Sequence, residues 1–392
     1  MSGPIQAPAD EAELAHVVAE AFAARTPLDI RGGGSKRDVG RPVHGAAVGT
    51  GGLSGITLYE PAELVIGARA GTPLAELTAA LDANGQMLPF EPADWRGLLG
   101  SGEARPTVGG TVAANLSGPR RLMAGACRDA LIGVRFVNGR GETIRNGGRV
   151  MKNVTGYDLV KLMAGSWGTL GIVTEAIFKL LPRPETSASL VWSGLTDEDA
   201  VALMSAAAGS PYEISAAAHW PAGDGMPART VLRLENFAPS VAYRAERLAR
   251  ELKRHGAPDR LDEAASSALW RDIRDAAPLR DAAGAVWRVS VAPSRAPAVA
   301  LALRQAGGAA RLFDWGGGLV WAAAPETAEA AAAIRRAAAA QGGHATLVRG
   351  SEALRLAVPP FTPPAGPLAA LTARIRAAFD PAGILNPGKM GE

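Results

Sequence analysis

Three glycine-rich segments in the first half of the chain constrain its fold more than any other feature. They are Arg31-Gly-Gly-Gly-Ser-Lys36, Pro106-Thr-Val-Gly-Gly-Thr-Val-Ala-Ala-Asn-Leu-Ser-Gly118 and Gly165-Ser-Trp-Gly-Thr-Leu-Gly-Ile-Val173. The first follows a short strand at 28–30. Its glycines permit left-handed backbone, lack Cβ atoms, and let successive N–H groups form an anion nest, with Arg31 and Lys36 adding charge. Taken alone, such a loop reads equally as a flexible turn. The second is a small-residue turn entering a helix whose first N–H groups complement negative charge. The third leads into a long strand. No GxxxxGK[ST] is present, and no GxGxxG lies between a strand and a helix with an acidic residue about 20 positions on, which excludes a Walker loop and a Rossmann nicotinamide site. A long dinucleotide threaded between two subdomains accounts for all three segments together.

Length and composition narrow the field. The chain has 392 residues, beyond the roughly 250–300 at which a single core stops growing, so two domains are expected. Hydrophobic residues make up 47% and charged ones 20%, the balance of an ordered globular protein. A net charge of +3 with no dense basic run argues against nucleic acid. The lone Cys127 excludes an internal disulfide, an iron–sulfur cluster and a cysteine-rich zinc site. His16, His44, His219, His255 and His344 are scattered without HxH or HExxH spacing, so no metal is expected. Met1–Asp10 lacks a signal-peptide layout, and no run of about 18 apolar residues occurs. The expected location is cytoplasmic.

Punctuation along the chain gives the organisation. Asp10 and Glu13 resemble a capping box for a helix with Leu14, Val17, Val18, Ala21 and Phe22 on one face, stopped by Pro27. Thr72 as N-cap and Pro73 as first residue open a second helix with Leu74, Leu77 and Leu81 inward and Asn84-Gly85 as its stop. Segments 131–137 and 142–145 flank Asn138-Gly-Arg-Gly141 as a hairpin, and 171–178 is a strand closed by Pro182 and Pro184. That proline pair marks a domain boundary. Beyond it, strands at 189–192, 230–235, 286–291, 319–323 and 345–349 alternate with helical stretches at 240–255 and 326–341, which suggests an α+β sheet covered on one side. A helix carrying Leu368, Leu371, Ile375 and Phe379 precedes the final loop.

Arg31-Gly-Gly-Gly-Ser35, Val108-Gly-Gly-Thr-Val-Ala-Ala-Asn115, Gly168-Thr-Leu-Gly-Ile-Val-Thr-Glu175 and the ending Phe379-Asp-Pro-Ala-Gly-Ile-Leu-Asn-Pro-Gly-Lys389 together resemble the vanillyl-alcohol-oxidase (PCMH-type) FAD-binding superfamily. Ser117-Gly-Pro-Arg-Arg121, Val150-Met-Lys-Asn-Val-Thr-Gly-Tyr-Asp158, Val286-Trp-Arg-Val-Ser290, Asp314-Trp-Gly-Gly317 and Gly342-Gly-His-Ala-Thr346 resemble, within it, the FAD-binding subunits of bacterial glycolate oxidase (glycolate dehydrogenase). The resemblance spans nearly the whole chain.

It implies an α+β fold. A PCMH-type FAD-binding domain of two lobes would occupy 1–182 and an α+β cap with an antiparallel sheet 183–350, with the segment 351–392 returning to the FAD domain. It also implies FAD, with the pyrophosphate on Arg31, Gly32, Gly33, Gly34, Ser35 and Lys36. Further contacts would come from Pro106, Thr107, Gly109, Gly110, Thr111, Ala113, Asn115 and Ser117, from Gly171, Ile172 and Val173, and from Asn386 as the tail folds back. Some relatives tether FAD through a histidine in or beside the first loop. Here Ser35-Lys36-Arg37 follow the glycines, so FAD is expected to be non-covalent, with Cys127 either an alternative tether or a small packed residue.

Related hydroxy-acid dehydrogenases carry a histidine-rich metal motif in the cap and an EHG-type segment near the end. Neither occurs here, and Gly223-Asp-Gly225 is only a fragment of such a pattern. Oxidising a 2-hydroxy acid needs a hydride acceptor, a base and a cation for the carboxylate. Arg288 and His344 are the candidates for the last two, each on an expected cap strand; each reads equally as a structural residue. Tyr157, Asp158 and Lys152 are open in the same way, and Trp287, Trp315 and Trp321 read as strand residues of the cap core. Reduced flavin needs an electron outlet. In the family resembled, a second flavin subunit and an iron–sulfur subunit supply it, which would allow peripheral attachment to the cytoplasmic membrane. Three readings follow: the FAD-binding subunit of a glycolate-oxidising complex, a free-standing FAD oxidase or dehydrogenase of another hydroxy acid or alcohol, and a non-catalytic assembly protein.

Overall fold

The computed structural model describes residues 5–148, 156–223 and 225–391. The chain divides into two compact units, Met1–Ser117 with Gly125–Arg183 and Pro363–Glu392, and Gly118–Ala124 with Pro184–Thr362. The architecture is α+β in both.

In the first unit, helix Glu11–Ala24 starts where Asp10 Oδ1 accepts from the Glu13 N–H at 2.9 Å. Glu13 answers one residue earlier than a capping box requires, accepting from the Ala9 N–H at 2.8 Å. The helix ends at Arg25 in left-handed backbone, before Pro27. Leu14, Val18 and Ala21 are buried against Leu28, Val48, Val137 and Leu385. Strand Leu28–Arg31 pairs in parallel with Ala46–Gly49. A five-stranded antiparallel sheet runs in the order Ile56–Glu60, Val65–Arg69, Ile172–Lys179, Leu131–Val137, Thr143–Gly147.

Two local expectations shift. Helix Leu74–Asp82 takes Pro73 as its N-cap, because the Thr72 hydroxyl is used elsewhere, accepting from the Gly55 N–H at 2.9 Å. In the 138–141 hairpin turn only Gly141 has positive φ. Gly139 is there for closeness instead, since a Cβ would lie 2.7 Å from Asp380 Cα.

The second unit is built on an eight-stranded antiparallel sheet. Its spatial order is Asp259–Leu261, Thr186–Ser193, Arg229–Asn236, Ala216–Trp220, Ala309–Asp314, Leu319–Ala324, Ala285–Ser290, His344–Arg349. Trp192, Leu232, Trp287, Val289 and Phe313 meet helices Asp197–Ala208, Ala238–Glu251, Ala296–Gln305 and Ala328–Ala340 in one core. The opposite face is not bare, which corrects the one-sided expectation. Ser189 points away from that core and is sealed by helix Glu263–Arg274, through Ser266 Oγ and Trp270 Nε1, each 2.8 Å from Ser189 Oγ.

Residues 351–362 stay with this sheet. The Leu347 N–H donates to the Pro360 carbonyl, and Thr362 Oγ1 both accepts from the Ala345 N–H and donates to its carbonyl. Helix Pro367–Phe379, in the first unit, keeps Leu368 and Leu371 about half exposed at 58% and 49%. Among the described residues, no helix is long and apolar enough to cross a membrane.

Candidate functional site

The three glycine-rich segments converge within the first unit on an open cleft. Strand Leu28–Arg31 delivers the first loop to its wall. The glycines there answer to packing as well as to any ligand. A Cβ on Gly32 would lie 2.7 Å from Thr107 Oγ1, and one on Gly33 only 1.7 Å from the Arg105 carbonyl oxygen. Gly34 has left-handed φ of +82°. The Cβ directions of Gly32 and Gly33 are therefore spent on the Thr107 side chain and the Arg105 backbone, and the loop can lie close against them.

Charge in the cleft is divided unequally. Arg31 is held by Asp29, with Nε and Nη2 donating to Oδ2 at 2.8 and 2.5 Å, so its charge is balanced locally. Lys36 donates to Ser35 Oγ at 3.1 Å, and burial pushes its ammonium down to about 8 against the pull of Asp94. A buried ammonium held at that cost is a ready partner for an anion.

Helix Val108–Ala114 carries the second segment. Thr107 caps it, accepting from the Gly110 N–H at 3.3 Å, and Asn115 ends it in left-handed backbone. Gly109 lets the helix press on Ala70, where a Cβ would come within 2.6 Å of the alanine Cβ. Gly110 faces Lys36, whose Nζ would be 4.0 Å from an added Cβ. The third segment turns through Trp167 and Gly168, both at positive φ, into strand Ile172–Lys179. Asn386 closes the cleft: its Oδ1 accepts from the Ile30 N–H at 2.8 Å and its Nδ2 donates to the Trp167 carbonyl at 2.9 Å.

Arg31 to Lys36, Gly109, Gly110, Ala113, Gly171, Ile172, Val173 and Asn386 all line this cleft. Pro106, Thr107, Thr111, Asn115 and Ser117 are not among its lining residues, and they shape the segment. The Pro106 carbonyl accepts from the Leu74 N–H, and Thr111 Oγ1 donates to the Thr107 carbonyl. Asn115 Oδ1 accepts from the Arg128 N–H and Ser117 Oγ from the Cys127 N–H. The lining also includes Asp29, Arg37, Thr50, Trp167, Gly168 and Lys389. Asp29 shares a strand face with Arg31 and was readable from period two. Thr50 follows the parallel partner strand and carries no local signal.

Cys127 is fully buried and its thiol is pushed upward, first by burial and then by Asp129, as an inert packed residue would be. Tyr157 is exposed and Asp158 caps helix Leu159–Met163. Lys152, Val150 to Thr155 and Asp224 lie outside the described residues.

Arg288 and His344 belong to the second unit, on neighbouring strands. Arg288 pairs across with Thr346 and Ser290 with His344, so the two candidates are diagonal neighbours on one sheet face. Burial, then Arg288 and Arg121, hold the His344 imidazole below its usual value. Trp287 and Trp321 are buried strand residues, as expected. Trp315 corrects the expectation: it sits in a 3₁₀ turn after strand Ala309–Asp314, half exposed, with the Arg121 guanidinium 4.3 Å from its ring centre.

Residues 4–147 match the family described as FAD binding domain, and 365–390 match FAD linked oxidases, C-terminal domain. The chain is 38% identical over 378 residues to glycolate oxidase subunit GlcE of Escherichia coli (strain K12), covering 96% of each. It is 33% identical over 193 residues to glycolate oxidase subunit GlcD of Bacillus subtilis (strain 168), covering 49% of this chain and 39% of that one. Among solved structures, alkyldihydroxyacetonephosphate synthase superposes with a TM-score of 0.70 at 16% identity, over 98% of this chain and 76% of that one. p-Cresol methylhydroxylase with substrate bound superposes with the same TM-score of 0.70 at 16% identity, over 99% and 88%. Both fix the fold as PCMH-type.

Proposed function

Because the chain belongs to the GlcE family of FAD-dependent oxidoreductases, with FAD as its cofactor, we propose that it is the FAD-binding subunit of a complex that oxidises glycolate to glyoxylate. The complex passes the electrons to a partner iron–sulfur subunit, and a second flavin subunit completes it. The observation that carries this reading is the end-to-end likeness to one glycolate oxidase subunit, cap included, where the other is matched over half the chain. The single cysteine supports an outside relay, because this chain has no thiolate set for a cluster.

In this reading the 31–36 loop and Lys36 hold the pyrophosphate, the Gly109-Gly110 face and Ala113 lie along the dinucleotide, and Asn386 fixes the wall made by Ile30 and Trp167. No histidine, cysteine or tyrosine is among the described residues lining the cleft, which supports non-covalent FAD. FAD, when bound, supplies a hydride acceptor. Arg288 holds the carboxylate. His344, whose imidazole is held below its usual value by partial burial and by the two nearby arginines, accepts the hydroxyl proton. The cytoplasm is the proposed location, with peripheral attachment to the membrane through the partners.

Glycolate turnover with an artificial acceptor tests the assignment. The chain alone is expected to turn over little, and addition of the two partner subunits to restore the rate. Full turnover by the isolated chain would instead favour a free-standing hydroxy-acid dehydrogenase.

A further inference from the structure

The segment Gly118–Ala124 belongs to the second unit although its sequence neighbours on both sides belong to the first. Several contacts pin it there. Arg120 makes a two-pronged pair with Glu235, Nε to Oε2 at 3.0 Å and Nη2 to Oε1 at 2.8 Å. The Gly118 carbonyl accepts from Trp315 Nε1 at 3.0 Å. The residue after these anchors, which opens the helical turn Arg121–Ala124, is Arg121, whose guanidinium lies over the Trp315 ring.

Arg288 reaches the same ring from the sheet, 5.4 Å from the Trp315 centre and 5.3 Å from that of Trp321, its cross-strand neighbour. Two guanidiniums thus meet on one indole, and His344 joins them on the next strand. Burial first, then Arg121, push Arg288 down to about 10, with Asp314 pulling the other way. Asp314 is itself buried and accepts from the Trp315 N–H at 2.7 Å, which sets the turn that carries the indole. The tryptophans keep the arginine stems ordered, while Arg121, Arg288 and Trp315 remain partly open to solvent.

We propose that Arg121 and Arg288, held together by Trp315, form a carboxylate subsite in the second unit that takes a small hydroxy or oxo acid. Guanidinium forks match a carboxylate in plane and in hydrogen-bond geometry. Arg121 is brought there by the pinned segment, so the sequence gap between 121 and 288 hides the pair. The choice of a hydroxy acid rests on the glycolate reading above; anion capture by the two arginines does not.

Oxalate, a two-carbon dicarboxylate that cannot donate hydride, is the probe. It is titrated into the full chain by calorimetry and by quenching of tryptophan fluorescence, with flavin content and thermal midpoint read on the same samples. Wild type is expected to bind, and Arg121→Met and Arg288→Met each to weaken binding at least about tenfold, as loss of a charge-assisted contact does. Arg288→Lys should recover part of the affinity, which a purely structural arginine would not show. If Arg288→Met fails to fold, Arg121→Met on the half-exposed segment decides alone. Absence of oxalate binding in wild type, or equal binding by wild type and Arg121→Met, overturns the subsite. A chain that binds oxalate through these arginines but cannot be loaded with FAD supports the subsite and overturns the flavin-subunit reading instead.

Discussion

Asn386 and Trp167 stand 219 residues apart in sequence and are joined by a 2.9 Å hydrogen bond from the asparagine Nδ2 to the tryptophan carbonyl. Both residues sit in left-handed backbone, at φ of 43° and 52°. The other end of the same amide accepts from the Ile30 N–H. One side chain thus satisfies a donor beside the first glycine loop and an acceptor in the third, and fixes the spacing of the cleft.

Asn386→Asp separates those two roles. The carboxylate can still accept from Ile30 but cannot donate to Trp167, and it adds negative charge to a site meant for an anion. The expected loss is about 1–3 kcal/mol of stability, with weaker FAD binding than Asn386→Ser shows. Urea unfolding and flavin titration of the two variants beside wild type check this; wild-type stability in Asn386→Asp would remove the donor role.

Lys36 makes cofactor affinity depend on pH. With its value near 8 in the free cleft, a pyrophosphate raises it, because the anion favours the ammonium. Below that value Lys36 is already charged and affinity is flat on its account. Above it, binding takes up a proton, so Kd rises toward about tenfold per pH unit until the complex itself titrates. Fluorescence titrations between about pH 7 and pH 9.5 should show that slope in wild type and not in Lys36→Met.

Substitutions in the first loop act through packing as well as binding. Gly33→Ala drives a Cβ into the Arg105 carbonyl, so about 1–3 kcal/mol of stability should be lost along with flavin. Gly33→Asp, the natural way to repel a pyrophosphate, has the same collision and cannot by itself report on binding. Gly102→Ala, with open space at the added Cβ, should stay within about 0.5 kcal/mol of wild type. Thermal melts of the variants give the comparison.

Glu235 is the shared carboxylate of Arg120 and Arg233, in a pair whose side chains are 8% and 10% exposed on the Arg120 and Glu235 sides. Glu235→Ala leaves two buried guanidiniums together and should cost about 3–5 kcal/mol. Arg120→Ala should cost less, since Arg233 still balances the carboxylate. Reversal of that order in urea melts would show that Arg120 anchors its segment by packing alone.

Much of this was legible before any coordinates. The glycine loops announced themselves by composition, the two long strands 131–137 and 172–179 by apolar runs bounded by turn residues, and Asn386 by the closing signature. Strands Ala216–Trp220 and Ala309–Asp314 escaped because alanine-rich segments carry little β signal, and burial in the cap core decides their state. Helix Glu263–Arg274 escaped for a related reason: Ser266 and Trp270 reach a serine on the sheet, a pairing invisible to apolar periodicity. Arg121 could not be placed from sequence at all. Its significance lies in the crossing of seven residues into the other unit, and no local pattern encodes such a crossing.

The most direct test is the absorption spectrum of the purified chain after loading with FAD, taken before and after acid precipitation, beside Lys36→Met. A site in the glycine cleft predicts flavin bands in the native wild-type sample, all of the yellow colour in the acid supernatant, and markedly less flavin in Lys36→Met at equal thermal stability. Colour retained in the pellet would contradict non-covalent binding. Equal loading of wild type and Lys36→Met at neutral pH, where Lys36 carries its charge, would contradict the placement of the pyrophosphate on this loop.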